Sequence, residues 1–180
     1  RAEAEGMAMP PLLVLESLAD WLDQHGIGPA GGELAWERIG DGQSNITYLV
    51  TRTGEPGEPD AAGEGAGGPH TSRFVVRRGP RPPLPPSAHD MVRESRVQRV
   101  LGGHGVTVPR ILGTCEDESV LGVPFYVMEH LDGVVVTDHE PQALASPQAR
   151  GRASQAVVDT LVALHSVDVS DPEVAALGRP

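Results

Sequence analysis

Glycine and proline interrupt this chain so often that it has little room for long helices or long strands. The sequence contains 22 glycines and 17 prolines, together 39 of its 180 residues. Proline has no backbone N–H to donate inside a helix or a sheet, and glycine favours turns. The segments between these interruptions are short, which predicts a fold of short elements joined by turns.

The apolar residues between the interruptions predict five strands and three helices. The strand segments are rich in β-branched, aromatic and other apolar residues, and they are residues 33–39, 45–52, 73–78, 110–115 and 124–131. The helix segments carry apolar residues at helical spacing, with Ser87 and Ser146 as predicted N-caps, and they are residues 12–25, 87–101 and 146–165. Three strands, a helix and two further strands predict an α+β unit, a mostly antiparallel five-stranded sheet with the second helix packed beside it.

This order divides the chain into three regions. Residues 1–32 are an N-terminal extension with the first helix, residues 33–131 are the strand-rich lobe, and residues 132–180 begin a second lobe with the last helix. Within the strand-rich lobe, residues 54–70 hold almost no apolar bulk and are predicted to be a flexible insertion. Since few residues follow the last helix, its apolar face is expected to be partly exposed and to favour self-association.

Composition excludes several classes of function. The formal net charge is −11, and all 14 basic residues are arginines. An acidic chain argues against nucleic-acid binding, and the absence of lysine excludes a Walker-type phosphate loop and Schiff-base catalysis. Cys115 is the sole cysteine, so no intrachain disulfide can form and a reducing compartment is expected. We therefore expect a cytoplasmic protein with neither a nucleic-acid nor a membrane partner.

The turn between the first two predicted strands is a candidate binding element. Its sequence, GDGQSNITY, begins at Gly40 and includes Gly42, Ser44 and Asn45. Backbone N–H groups at glycines can approach phosphates closely, and Ser44 and Asn45 add side-chain donors. An ordinary β-turn is the alternative interpretation.

A cation and a carboxylate form a second candidate pair. Arg77 lies near the end of the third predicted strand, and Glu94 lies on the helix that follows. Protein-kinase-like enzymes use such a cation and helix glutamate to hold phosphates, although their cation is a lysine. Neighbouring strand residues point to opposite faces, so Arg78 is predicted to face away from Glu94. The alternative is an exposed arginine and a solvated glutamate.

A third candidate element is the end of the last strand, residues 126–133, which suits a hinge between two lobes. With the turn and the cation in this order, the chain resembles aminoglycoside-phosphotransferase-like kinases, in the branch related to the phosphotransferase domain fused to some acyl-CoA dehydrogenases. The resemblance extends over about residues 33–168. The stretches that carry it are GQSNITY (42–48), FVVRRGP (74–80), PSAHDMVRE (86–94), VPRIL (108–112), LGVPFYVME (121–129) and LVALHSVD (161–168).

The resemblance implies a protein-kinase-like N-terminal lobe that binds ATP. Arg77 would contact the phosphates and Glu94 would be its helix partner. Met128 would line the back of the adenine pocket, while the Glu129 carbonyl and the Leu131 amide would pair with adenine.

The phosphate-binding turn would include Gly42, Ser44 and Asn45. Arginine in place of lysine is permanently charged and forked, so it can bridge a carboxylate and a phosphate oxygen.

The catalytic part of such an enzyme is missing from this sequence. The family's catalytic loop, H-x-D-x-x-x-x-N, supplies a catalytic Asp and a metal-binding Asn. The one H-x-D here, residues 130–132, falls in the predicted hinge and has Thr137 where the Asn should stand. Asn45 is the sole asparagine of the chain. We therefore predict no catalytic residue and no metal site here, with Mg²⁺ required only in a complete enzyme.

These observations favour an ATP-dependent phosphotransferase acting on a small-molecule hydroxyl, represented by an incomplete chain that is inactive alone. A non-catalytic kinase-like module that binds a nucleotide or a partner is the alternative, and a plain α+β interaction domain is a third interpretation. The sequence leaves open the acceptor (an aminoglycoside, a choline-like alcohol or a hydroxyacyl-CoA), the choice between ATP and GTP, and the oligomeric state.

Overall fold

The computed structural model describes residues 12–40, 45–55, 70–81, 90–136 and 138–178. These residues form five strands, five α-helices and one short 3-10 helix at Gln142–Leu144. The strands are β1 (Glu33–Ile39), β2 (Ile46–Thr53), β3 (Thr71–Arg78), β4 (Ile111–Cys115) and β5 (Phe125–Glu129). The helices are α1 (Leu15–Gln24), α2 (Met91–Gly103), α3 (Glu118–Leu121), α4 (Pro147–His165) and α5 (Pro172–Ala175).

The five strands form one sheet in the order β1-β2-β3-β5-β4. All four pairings are antiparallel, and each observed strand lies within two residues of its predicted bounds. The predicted α+β architecture is therefore confirmed. Residues 56–69, most of the predicted insertion, lie outside the described residues, and the three predicted regions stay a prediction.

Alternation along β3 separates two faces of the sheet. Phe74, Val76 and Arg78 point to one face, which we call the outer face, and they are at most 2% exposed. Leu18 and Leu22 of α1 belong to the same buried cluster as Phe74 and Val76, so α1 covers the outer face. The opposite face, which we call the inner face, carries Val75 and Arg77 and contacts α2 through β4 and β5.

Helix α1 ends where its sequence predicts. Gly26 follows the C-cap His25 with a φ of 62°, a conformation that costs glycine little. Its N–H donates to the Asp23 carbonyl at 3.2 Å, and the Ile27 N–H donates to the Leu22 carbonyl at 3.0 Å. This pair of bonds is a Schellman motif, which satisfies carbonyls that the last helical turn leaves open.

The start of α2 corrects the sequence prediction. The helix was expected from residue 87, but it begins at Met91 and continues to Gly103. Asp90 is the N-cap, and its carboxylate accepts a hydrogen bond from the Arg93 N–H at 2.8 Å. An Asp at this position satisfies one of the open N–H groups of the first turn, so the cap is three residues later than predicted. Ser87 lies outside the described residues.

Helix α4 leaves an apolar surface exposed. The Ser146 hydroxyl accepts from the Ala149 N–H at 3.1 Å, so the predicted cap is confirmed. Five of its apolar side chains are between 39% and 61% exposed, namely Val157, Val158, Leu161, Val162 and Leu164. The predicted exposure is confirmed. Among the described helices, none is long and apolar enough to cross a bilayer.

Gly113 is packed against the ring of Trp21. A Cβ at this position would lie 2.6 Å from Cη2 of Trp21. The ring is held by His25, which stacks on it, and by Phe125, which meets its edge with centroids 5.0 Å apart. We expect Gly113→Ala to lower the free energy of unfolding by about 2 kcal/mol, since overpacking a well-filled core has costs of this order. Urea denaturation measures the change.

Gly103→Ala is the control for this substitution. A Cβ at Gly103, the last residue of α2, meets no atom within 4 Å. We expect this variant to be as stable as the original chain or slightly more stable, because alanine has the higher helix propensity. Equal loss of stability in the two variants would contradict the packing described here.

Candidate functional site

The inner face of the sheet brings Arg77 and Glu94 together. Nε of Arg77 on β3 lies 2.7 Å from Oε1 of Glu94 on α2. The Nε–H is not aligned with that oxygen, so the contact is an ion pair rather than a well-formed hydrogen bond. Nη1 of Arg77 also donates to the Thr47 hydroxyl at 3.1 Å. Arg78 points to the outer face, as expected. The predicted strand register is therefore confirmed, while the roles of the two residues stay predictions.

Glu94 is held by two other side chains as well. The Tyr126 hydroxyl donates to its Oε1 at 2.8 Å, and the Asn45 amide donates to its Oε2 at 3.3 Å. Gln98, one turn later on α2, donates to the Tyr126 hydroxyl at 2.9 Å. Burial raises the pKa of the Tyr126 phenol, and the hydrogen bond to Glu94 and its negative charge raise it further. The phenol therefore stays protonated and can act as a donor to the carboxylate.

Sequence reasoning missed Tyr126, Gln98 and Thr47. A signal for two of them was present, because Glu94 and Gln98 are spaced i,i+4 and so share one face of α2. A tyrosine inside an apolar strand also requires a partner for its hydroxyl once it is buried. The contact with Thr47 follows from the register, which sets Thr47 opposite Arg77. Directly opposed residues of an antiparallel pair point to the same face.

An apolar surface adjoins this charged group on the inner face. Val75 pairs with Leu49 on one side and with Met128 on the other, so the three side chains share a face with Arg77, two residues along β3 from Val75. Leu49 and Val75 are buried and Met128 is half-buried. Of the three side chains, Met128 is the most exposed, and it lies on the same face as the charge of Arg77.

The structure describes the predicted hinge residues Glu129 and Leu131. The Glu129 N–H donates to the Arg110 carbonyl, and the Glu129 carboxylate accepts from the Arg110 N–H, both at 2.9 Å. Leu131 is 56% exposed and lies beyond the end of β5. The adenine contacts assigned to the Glu129 carbonyl and the Leu131 amide stay predictions. Gly42 and Ser44 lie outside the described residues.

The acidic residue of the rejected H-x-D segment lies at the surface, where it forms an ion pair with Arg73. Asp132 contacts Arg73 and His130, each at 3.4 Å, and its own side chain is 89% exposed. Within the part of the chain that the structure describes, no group of three or more His, Cys, Asp or Glu side chains could hold a metal ion.

A cleft of about 460 Å³ lies away from Arg77, at the other end of the sheet. Its lining comes from the loop before β1 and from the facing ends of β2 and β3, and it comprises Pro29, Ala30, Gly31, Gly32, Glu33, Thr53, Gly54, Glu55 and His70. None of the predicted site residues lines it. We therefore place the candidate site at Arg77 and Glu94, where charge and apolar surface meet.

Comparison with known proteins shows the family of this chain. The sequence profile of the phosphotransferase enzyme family, APH, matches residues 35–180. The chain belongs to the phosphotransferase enzyme family. The matched region contains β2 to β5, all of β1 except its first two residues, and the Arg77–Glu94 pair. The family resemblance predicted from the sequence motifs is confirmed.

Curated relatives of this family member are acyl-CoA dehydrogenase family proteins. Member 10 from Mus musculus is 32% identical over 173 residues, which are 96% of this chain and 14% of that protein. Member 11 from Homo sapiens is 38% identical over 105 residues, which are 58% of this chain and 13% of that protein. The chain thus spans about a seventh of the length of these relatives.

A solved structure confirms the fold. A crystal structure from Ralstonia eutropha JMP134 that carries the name aminoglycoside phosphotransferase matches with a TM-score of 0.58 and 30% sequence identity. The match covers 92% of this chain and 40% of that one. The kinase-like α+β fold expected from the sequence is confirmed, and the enzyme family is that of phosphotransferases.

Proposed function

We propose that this chain is the ATP-binding lobe of a phosphotransferase that acts on a small-molecule hydroxyl. The observation that carries the proposal is the Arg77–Glu94 ion pair, 2.7 Å long, beside the apolar surface of Leu49, Val75 and Met128. A nucleotide needs such a combination, with an apolar wall for its base and a fixed cation for its phosphates.

The remaining predicted contacts complete the proposed site. Backbone N–H groups near Gly42 and Ser44 would surround the phosphates, and the main chain at Glu129 and Leu131 would pair with adenine. Mg²⁺ does not fit the residues described here, because they include no group of three or more His, Cys, Asp or Glu side chains that could hold a metal ion, and Glu94 is engaged by Arg77 and Tyr126. We also propose that this chain alone does not transfer phosphate.

The alternative is a kinase-like module that binds a nucleotide or a partner without catalysis. The acceptor could be an aminoglycoside, a choline-like alcohol or a hydroxyacyl-CoA. A cytoplasmic location and self-association through the exposed face of α4 belong to the same proposal.

Titration calorimetry of the purified chain with ATP and with adenosine tests the proposed function. We expect ATP to bind at least about tenfold more tightly than adenosine, because the phosphates add a charge-assisted contact with Arg77. GTP and guanosine form the second pair of ligands and settle the choice of base. Absence of binding by every ligand, or equal affinity for ATP and adenosine, would contradict the proposal.

A further inference from the structure

Tyr126 occupies a position that the proposed nucleotide site does not explain. It lies on β5 with a relative exposure of 0%, and its ring is enclosed between the sheet and α2. Its hydroxyl donates to Oε1 of Glu94 at 2.8 Å and accepts from Nε2 of Gln98 at 2.9 Å. Both hydrogen-bonding roles of the phenol are therefore used, and one of them is directed at the carboxylate that pairs with Arg77.

Glu94 needs such a partner if it is to hold Arg77 in one place. Its side chain is 31% exposed, so water competes for the carboxylate and the ion pair by itself is weakly held. The Tyr126 hydroxyl and Nε of Arg77 meet the same oxygen, Oε1. Asn45 binds the other oxygen at 3.3 Å. The carboxylate is thus fixed from three elements: β3, β5 and the residue before β2.

We propose that Tyr126 is a positioning residue, whose hydroxyl holds Glu94 so that Arg77 is already in place for the phosphates before a nucleotide binds. The inference rests on the proposed function, since it concerns the same site. The phenol touches neither the base nor the phosphates, and it acts through Glu94 and Arg77. Fixing a charged group in its bound geometry before binding lowers the entropic cost of binding.

The two tyrosines of the chain provide a matched pair of variants. Tyr126→Phe keeps the buried ring and removes the hydroxyl. Tyr48→Phe does the same on the outer face, where Tyr48 is 3% exposed and packs against Trp36. We expect Tyr126→Phe to weaken ATP binding about tenfold and to leave adenosine binding unchanged, because a hydrogen bond to a charged group is lost only from the phosphate end of the site. Tyr48→Phe is expected to change neither affinity.

A second comparison separates positioning from a general structural role. Combined with Arg77→Ala, the Tyr126→Phe substitution is expected to cause no further loss of ATP affinity, because the hydroxyl acts through Arg77. Calorimetric titration of the full chain and these variants with ATP and adenosine gives all the values. Additive losses, a parallel loss of adenosine affinity, or failure of Tyr126→Phe to fold would overturn the inference.

The outcomes also separate this inference from the proposed function. If the original chain binds ATP, Arg77→Ala weakens that binding and Tyr126→Phe does not, the positioning role is wrong and the nucleotide site stands. If the original chain binds neither ATP nor adenosine, the proposed function is wrong and the positioning role falls with it.

Discussion

Replacing Arg78 with alanine is expected to lower the free energy of unfolding by about 3 kcal/mol or more, because it removes a buried cation and leaves its partners unsatisfied. The side chain is 2% exposed on the outer face of the sheet. Its guanidinium donates to the carbonyls of Gly79 and Leu121, each at 3.0 Å, and to the carbonyl of Leu12. Burial lowers the pKa of this guanidinium. The acceptors of these three hydrogen bonds are main-chain carbonyls and not a carboxylate.

Arg73→Ala is the control for this prediction. Arg73 lies on the same strand, but its side chain is 47% exposed and its contact with Asp132 is 3.4 Å long. An exposed ion pair contributes about 0–1 kcal/mol, so a change of that size is expected. Urea denaturation followed by circular dichroism measures both variants, and equal stability of the two would show that the buried bonds of Arg78 do not hold the fold.

Arg77→Ala is expected to have its main effect on nucleotide binding. We expect ATP affinity to fall about thirtyfold, which corresponds to roughly 2 kcal/mol, because the phosphates lose a cation fixed in a half-buried position. The Arg77 and Glu94 side chains are 29% and 31% exposed. Their ion pair is therefore screened by water, and the free energy of unfolding should change by no more than about 1 kcal/mol. The two residues are adjacent, but we expect the substitution of Arg77 to lower mainly ATP affinity and that of Arg78 to lower mainly the free energy of unfolding.

Most of the sheet could be predicted because the apolar residues that mark each strand in the sequence are also the residues that the sheet buries. In β2 and β3 the apolar residues are bounded by glycine, proline and polar residues, and alternation on β3 correctly directed Arg77 and Arg78 to opposite faces. The contact between Arg77 and Glu94 was expected because a strand cation followed by a helix glutamate is the layout of kinase-like enzymes. Such predictions succeed because each depends on residues close together in the sequence.

The buried arginines of the outer face could not be predicted in the same way. Arginine is mostly exposed in proteins, and nothing near Arg52 or Arg78 in the sequence indicates otherwise. Arg52 is 0% exposed, donates to the Ile27 carbonyl at 2.8 Å and pairs with Asp23. Since Arg78 reaches Leu12 across 66 residues, the two arginines bind both ends of the segment that contains α1. Apart from Asp23, the partners named here are main-chain carbonyls, which any sequence supplies.

Only part of the candidate site could be predicted, because the rest depends on contacts between elements that are distant in the sequence. Arg77 and Glu94 belong to recognisable motifs, whereas Tyr126 was assigned to a generic hinge strand. The contacts of the Tyr126 hydroxyl depend on how α2 packs on β5, because this packing brings Glu94 and Gln98 to the hydroxyl. The start of α2 was missed because Asp90, rather than Ser87, provides the cap.

We propose Arg77 as the phosphate-binding cation of a nucleotide site on the inner face. Calorimetric titration of Arg77→Ala and Arg73→Ala with ATP and adenosine tests it most directly, since the two arginines share a strand and a face. We expect Arg77→Ala to lose about thirtyfold in ATP affinity and to keep its adenosine affinity, while Arg73→Ala keeps both. Equal ATP affinities in the two variants would contradict it.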